Sequence, residues 1–336
     1  MTMRTLLLIL GALGLLLLLA VPWMPTMIYP VFVMKLFCMA LFACAYGLLL
    51  GFGGMMSFGH AAFFGGAAYL TGVAIKYWGL STELGLVVGV ASAALLGLVV
   101  GGLAIRRQGI YLAMITLALA QMVYFIFLQA PFTGAEDGMQ DIPRGTLLGL
   151  IDLRSDVAMY YLVMVLTAIG LWIVHRVVHS PFGHVIVAIR EHESRAVSLG
   201  YPVARYKLML FVLSAALSGL AGSMKAVVFG LAALTDVHWH LSGDVVLMAL
   251  LGGMHTVFGP AVGAALVVGL QFYLDALGGW VTLITGIIFM VCVLSFRKGI
   301  VGTVLDVRER RRQAGGTEIR KSGMGNSESQ SRESSI

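Results

Sequence analysis

Apolar stretches of 17–25 residues, the length that spans a bilayer core at about 1.5 Å per helical residue, recur along nearly the whole chain. Ten are read as spans, at about 5–21, 31–50, 58–77, 85–105, 109–130, 157–178, 207–230, 243–257, 260–276 and 280–297. The first has Arg4 before a Leu-rich core, like a signal peptide, but no small-x-small site precedes Pro22 and Trp23, so a retained span is expected. The eighth is short and reads as a half-helix or re-entrant element. Composition agrees: 59% of residues are hydrophobic and 11% charged, against about 25% charged in a soluble domain. The 42 glycines lie inside the apolar runs, which excludes disorder, collagen and a soluble multi-domain enzyme. Small residues there let helix backbones approach, and Gly97-x-x-x-Gly101, Ser218-x-x-x-Gly222 and Gly259-x-x-x-Gly263 are such pairs. The fold class is all-α, a polytopic transmembrane helical bundle.

Lys and Arg placement gives an orientation, because short cytoplasmic loops collect positive charge. With the N-terminus inside, Arg4, Arg106-Arg107, the 176–207 segment and the C-terminal tail are all cytoplasmic. The 131–156 loop then faces outward, carrying Glu136, Asp137, Asp141, Asp152 and Asp156 against Arg144 and Arg154. Both termini are expected in the cytoplasm. The membrane domain is drawn as 1–305. Residues 306–336 are expected to be a disordered tail whose basic start, RERRR at 308–312, sits beside anionic lipid headgroups. The net charge of +6 is therefore no sign of a nucleic-acid partner.

Cys38, Cys44 and Cys292 lie within apolar runs, fit no metal spacing and are expected buried and reduced. The chain has no G-x-x-x-x-G-K-[ST] phosphate loop, no H-E-x-x-H, no CxxC and no G-x-S-x-G. His238 and His240 in DVHWH are two ligands short of a site and read as interfacial loop residues around Trp239. No chain of intramembrane carboxylates suggests a proton relay. No cofactor, metal or catalytic residue is expected. The sequence describes a pathway without an engine, which leaves an ion-coupled secondary transporter and a membrane enzyme as the weaker rival classes.

The polar segment 180–207 interrupts the spans. Ser180 before Pro181 signals a helix start, Gly200 a helix end, and Pro202 prevents a restart. Val185, Ala188, Ile189, His192, Ala196 and Leu199 share one face, while Arg190, Glu191, Glu193, Arg195 and Ser198 crowd the others. One amphipathic helix over 181–200 is expected. It either lies on the lipid interface or inserts as a knob into a soluble partner.

The stretch AIREHESRAVSLG at 188–200 resembles the cytoplasmic loop of Liv-type permeases, the membrane subunits of branched-chain amino acid ABC importers. GFGGMMSFGHAAFFGGAAYLTG at 51–72, TGAEDGMQDIP at 133–143 and LLGGMHTVFGPAVGA at 250–264 resemble three further segments of that family, in order, and the S-[LF]-G-H form points to its M-type member. Ala135, His255 and Lys225 depart from the family pattern. The resemblance implies a bacterial inner-membrane, multi-pass permease that imports Leu, Ile and Val, with urea, short amides or other small organic solutes as the alternative cargo. It implies an external, periplasmic substrate-binding protein, a second related permease and two cytoplasmic ATPase subunits. The 181–200 helix would be the coupling helix, with Arg190, Glu191, Glu193, Arg195, Ala196 and Gly200 at the ATPase contact.

Five residues are pathway candidates. His60, with Ser57 and Gly59, either shapes the path or a gate, or bonds a carbonyl across a helix interface; Gly53, Gly54, Gly65 and Gly66 let backbone come close. Lys225, a cation within an apolar run, either pairs with a carboxylate such as Asp244 or Asp275, meets the substrate carboxylate, or snorkels to the headgroups. Asp244 is expected to cap the helix that follows it.

Overall fold

The computed structural model describes residues 29–147 and 151–274, with a few single positions outside those ranges. The expected spans 5–21 and 280–297, Asp275, Cys292 and the tail lie outside the described residues. Each remaining apolar run forms a helix. α1 covers Pro30–Gly47 and continues as a π-helical turn over Leu48–Phe52. Then follow α2 (His60–Lys76), α3 (Thr82–Ala104), α4 (Ile110–Gln129), α5 (Asp156–Val178), α6 (Pro181–Glu191), α7 (Glu193–Ser198), α8 (Val203–Phe229), α9 (Trp239–Gly252) and α10 (Gly259–Leu274). A two-residue antiparallel ladder, Thr146–Leu147 with Ile151–Asp152, closes the loop before α5.

Among the described residues five helices are long and apolar enough to cross a membrane: α1 with its π turn, α3, α4, α5 and α8. α9 and α10 are shorter apolar helices, and α2 has 17 residues. α8 is the hub. It packs against α1, α2 and α3, while α1 also contacts α5, α9 and α10. Exposed Leu, Val, Met and Phe on α3 and α4 form an apolar outer wall, as lipid requires.

Small residues set the closest approaches. Gly97 of α3 faces Ala215 of α8, Gly101 faces Phe211, and Gly222 lies against the Phe64 carbonyl of α2. Gly263 of α10 meets the Met248 carbonyl of α9. The three spaced small pairs thus join α3 to α8, α8 to α2 and α9 to α10. Cys38 and Cys44 are buried free thiols.

Two expectations need correction. The helix expected over 181–200 is two helices, broken at His192, whose φ of −147° and ψ of 83° leave the helical region. Asp244 is not a cap: α9 starts five residues earlier, with His238 as its N-cap. The loop 131–155 lies at one end of the bundle, fastened to the end of α8 by the Met139–Ala232 bridge and the Ile142 N–H to Gly230 carbonyl bond of 3.0 Å. α6 and α7 lie at the other end.

Candidate functional site

The α6–α7 elbow begins as its sequence dictates. The Ser180 hydroxyl accepts from the Gly183 N–H at 3.3 Å, Pro181 occupies the first turn, and Gly200 takes a φ of +82° after α7. Ile186, Ile189 and Ala196 are buried, the latter two in a cluster with Val203. The expected face is divided. Val185, Ala188, His192, Ala196 and Leu199 line a mainly apolar surface groove of about 270 Å³ together with His184, Arg195 and Tyr201. Leu199 is 71% exposed in it.

The charged residues divide as well. Glu191 and Arg195 face solvent. Arg190 turns inward and donates to the Gly51 carbonyl on the π turn of α1. Gly54, at a φ of +65°, lies under its stem, where a Cβ would stand 2.6 Å from Arg190 Cγ. Glu193 accepts from Lys207 Nζ of α8 at 2.7 Å and from Gln108 Nε2 of the α3–α4 loop at 2.6 Å. The elbow is therefore pinned to α1, α8 and the α3–α4 loop at once. Gly54, Gln108, Arg190, Glu193 and Lys207 line a cleft of about 200 Å³. Lys207 and Gln108 carried no motif, and only their distance in space reveals them.

His60 is fully buried at the start of α2, bracketed by the rings of Tyr46, Phe63 and Phe211. Its bonds have a consistent direction. Ser214 of α8 donates to the Ala45 carbonyl of α1 at 2.6 Å and so accepts from His60 Nε2 at 2.9 Å. Ser57 accepts from the Gly59 N–H at 3.2 Å and donates to Nδ1 at 3.2 Å. This assigns a neutral imidazole with its proton on Nε2. His60 ties α1, α2 and α8 together and lines neither groove nor cleft.

Lys225 pairs with Asp236, a residue the sequence reading did not single out, rather than with Asp244. Asp236 is 4% exposed. It belongs to a 3₁₀ turn, Leu234–Asp236, that runs back along α2, where a Cβ on Gly65 would be 2.7 Å from the Asp236 carbonyl carbon. The Lys225 ammonium also lies 5.9 Å from the centre of the Phe64 ring. DVHWH is the end of the α8–α9 connection and the start of α9: Trp239 and His240 open the helix, and His238 accepts from the His240 N–H at 3.4 Å and caps it. Asp244 sits partly buried inside α9. The structure thus gathers Ser57, Gly59 and His60 into one buried knot, puts Lys225 with Asp236, and leaves Asp244 apart from both.

A bundle with five membrane-length helices among the described residues, joined by small-residue contacts, is that of a multi-pass membrane protein. A family model described as "Branched-chain amino acid transport system / permease component" matches residues 28–295, and the chain belongs to that family. It is 29% identical over 215 residues to the high-affinity branched-chain amino acid transport system permease protein LivM of Escherichia coli K12, covering 57% of this chain and 51% of that protein. Against the LivM protein of Salmonella typhimurium LT2 it is 30% identical over 203 residues, 54% of this chain and 48% of that protein. The chain thus spans about half the length of these curated relatives. No solved structure matches.

Proposed function

We propose that this chain is the membrane-spanning permease subunit of an ATP-driven ABC importer that moves branched-chain, apolar amino acids across a bacterial inner membrane. An external binding protein delivers the substrate, a second related permease completes the pathway, and two ATPase subunits dock from the cytoplasm. The Arg106-Arg107 loop, the α6–α7 elbow and the tail from 306 onward face the cytoplasm, and the loop 131–156 faces outward.

The observation that carries this reading is the elbow's two-sided construction. Its outer side offers an apolar groove lined by Val185, Ala188, Leu199 and Arg195, a surface suited to a protein partner. Its inner side is fastened through Arg190 and Glu193 to α1, α8 and the α3–α4 loop. A rigid push on the outer side therefore reaches three elements of the bundle, as a two-state transporter needs. A lipid-lying helix would need no such inner bracing.

The test is copurification in mild detergent followed by reconstitution with the ATPase, the second permease and the binding protein. ATP-dependent uptake of leucine, isoleucine and valine, preserved when ion gradients are collapsed, is the expected result. Uptake that follows an ion gradient instead of ATP would refute the importer, and uptake of urea or short amides alone would reassign the cargo.

A further inference from the structure

The segment between α8 and α9 holds groups that the coupling role does not use. Asp236 places one carboxylate oxygen on Lys225, while its other oxygen, Oδ2, is buried with no hydrogen-bond partner. Tyr69 of α2 is fully buried and its hydroxyl is likewise without a partner. Native interiors rarely leave such acceptors and donors unmet, so an absent group is the natural complement.

α9 adds a second element. It has 14 residues and begins inside the bundle, not at its end. The Asp236 backbone lies on Gly65, and Ser242 accepts the Ala61 N–H at 2.9 Å, so this stretch runs alongside the first turns of α2. A helix that starts there presents its positive dipole end to that place, which favours an anionic group, although the His240 and Leu241 N–H groups are already taken by His238. Thr235, Trp239 and His240, which flank the buried Asp236 in sequence, are exposed, and Tyr124 of α4 meets His238 edge-on at 5.2 Å.

We propose that Asp236, Lys225, Tyr69 and the first turn of α9 form a recognition site for the zwitterionic α-amino carboxylate head of an amino acid. Asp236 Oδ2 takes the ammonium. Lys225 takes the carboxylate, favoured by the positive end of α9, with the Tyr69 hydroxyl as a further donor. One charge of each sign side by side selects against simpler ions: an anion would meet Asp236, and a cation would meet Lys225. The inference deepens the amino-acid permease reading above and rests on it.

The test uses the purified full-length chain in nanodiscs, with Trp23, Trp78, Trp172 and Trp280 replaced by Phe so that Trp239 alone reports. Its fluorescence is titrated with L-leucine, 4-methylpentanoate and 3-methylbutylamine, which keep the side chain and lack one charge each. L-leucine should give a saturable change. Each analogue should bind about tenfold to a hundredfold more weakly, the loss of one hydrogen bond to a charged group. Lys225→Met with Asp236→Leu should abolish the response at wild-type membrane abundance and thermal midpoint. Tyr69→Phe, which removes one hydroxyl, should weaken it and serves should the double variant misfold. Equal response to leucine and 4-methylpentanoate, no response to leucine, or wild-type binding by the folded double variant would overturn the site. The titration needs neither ATPase nor binding protein. Binding without ATP-driven uptake would therefore sink the importer alone, and uptake indifferent to Lys225 and Asp236 would sink the site alone.

Discussion

Glu193 Oε2 stands 2.7 Å from Lys207 Nζ, joining the first residue of α7 to the first turns of α8. The same oxygen receives Gln108, so this acid belongs to the inner face of the elbow, whereas the nearby Glu191 is exposed and only skirts Arg190 at 3.8 Å. Two acids two residues apart in sequence have opposite duties.

Single substitutions should separate them. Glu193→Ala leaves the nearly enclosed Lys207 ammonium without its carboxylate and should cost about 1–3 kcal/mol of stability. Glu191→Ala should leave the thermal midpoint within about 0.5 kcal/mol of wild type, as for other surface changes, and lower ATPase retention instead. Thermal unfolding and copurification of each variant check this; identical behaviour of the two would refute the division.

Gly54→Ala tests the contact between the π turn of α1 and Arg190. The left-handed backbone costs about 1–2 kcal/mol for a residue with a Cβ, and here the methyl also presses on the Arg190 stem. Gly79→Ala is the control, with a φ of +64° and nothing within 4 Å. Both should lose stability, but Gly54→Ala alone should reduce substrate-stimulated ATP hydrolysis. Equal ATPase rates in the two variants would show that the contact transmits nothing.

The His60 knot should behave as one unit. His60→Ala and Ser214→Ala each break the path from Ser57 to the Ala45 carbonyl. A double-mutant cycle on unfolding free energy should give a coupling of about 0.5–3 kcal/mol, the range for directly bonded neighbours. Additive effects would contradict the continuous bonding.

Sidedness has a direct chemical check. Glu136 and Ser194 are both exposed, at opposite ends of the bundle. In a background without Cys38, Cys44 and Cys292, an impermeant thiol reagent on intact cells should label Glu136→Cys and spare Ser194→Cys. Equal labelling of both would reject the orientation.

Local patterns made part of this molecule legible. The apolar runs at 31–50, 85–105, 109–130 and 157–178 became helices with ends shifted by at most three residues, because lipid-length apolar sequence has no other way to satisfy its backbone. Ser180, Pro181 and Gly200 act through their own backbone preferences, so they too could be read locally. Four quoted motifs pointed to the family that the profile match establishes.

What only tertiary structure decided is who meets whom. Helical periodicity placed Arg190, Glu191 and Glu193 on polar faces, but which of them turns inward depends on Gly51, Gln108 and Lys207, brought near by other helices. The break at His192 lies between Ile189 and Ala196, which meet in one cluster with Val203. Lys225 announced a need for a partner, yet choosing Asp236 over Asp244 required the chain after α8 to fold back along α2. That return path is set by Gly65, whose missing side chain gives Asp236 its place. An ion pair inside a bundle is fixed by distance in space, and distance in space is the quantity that spacing along a chain does not contain.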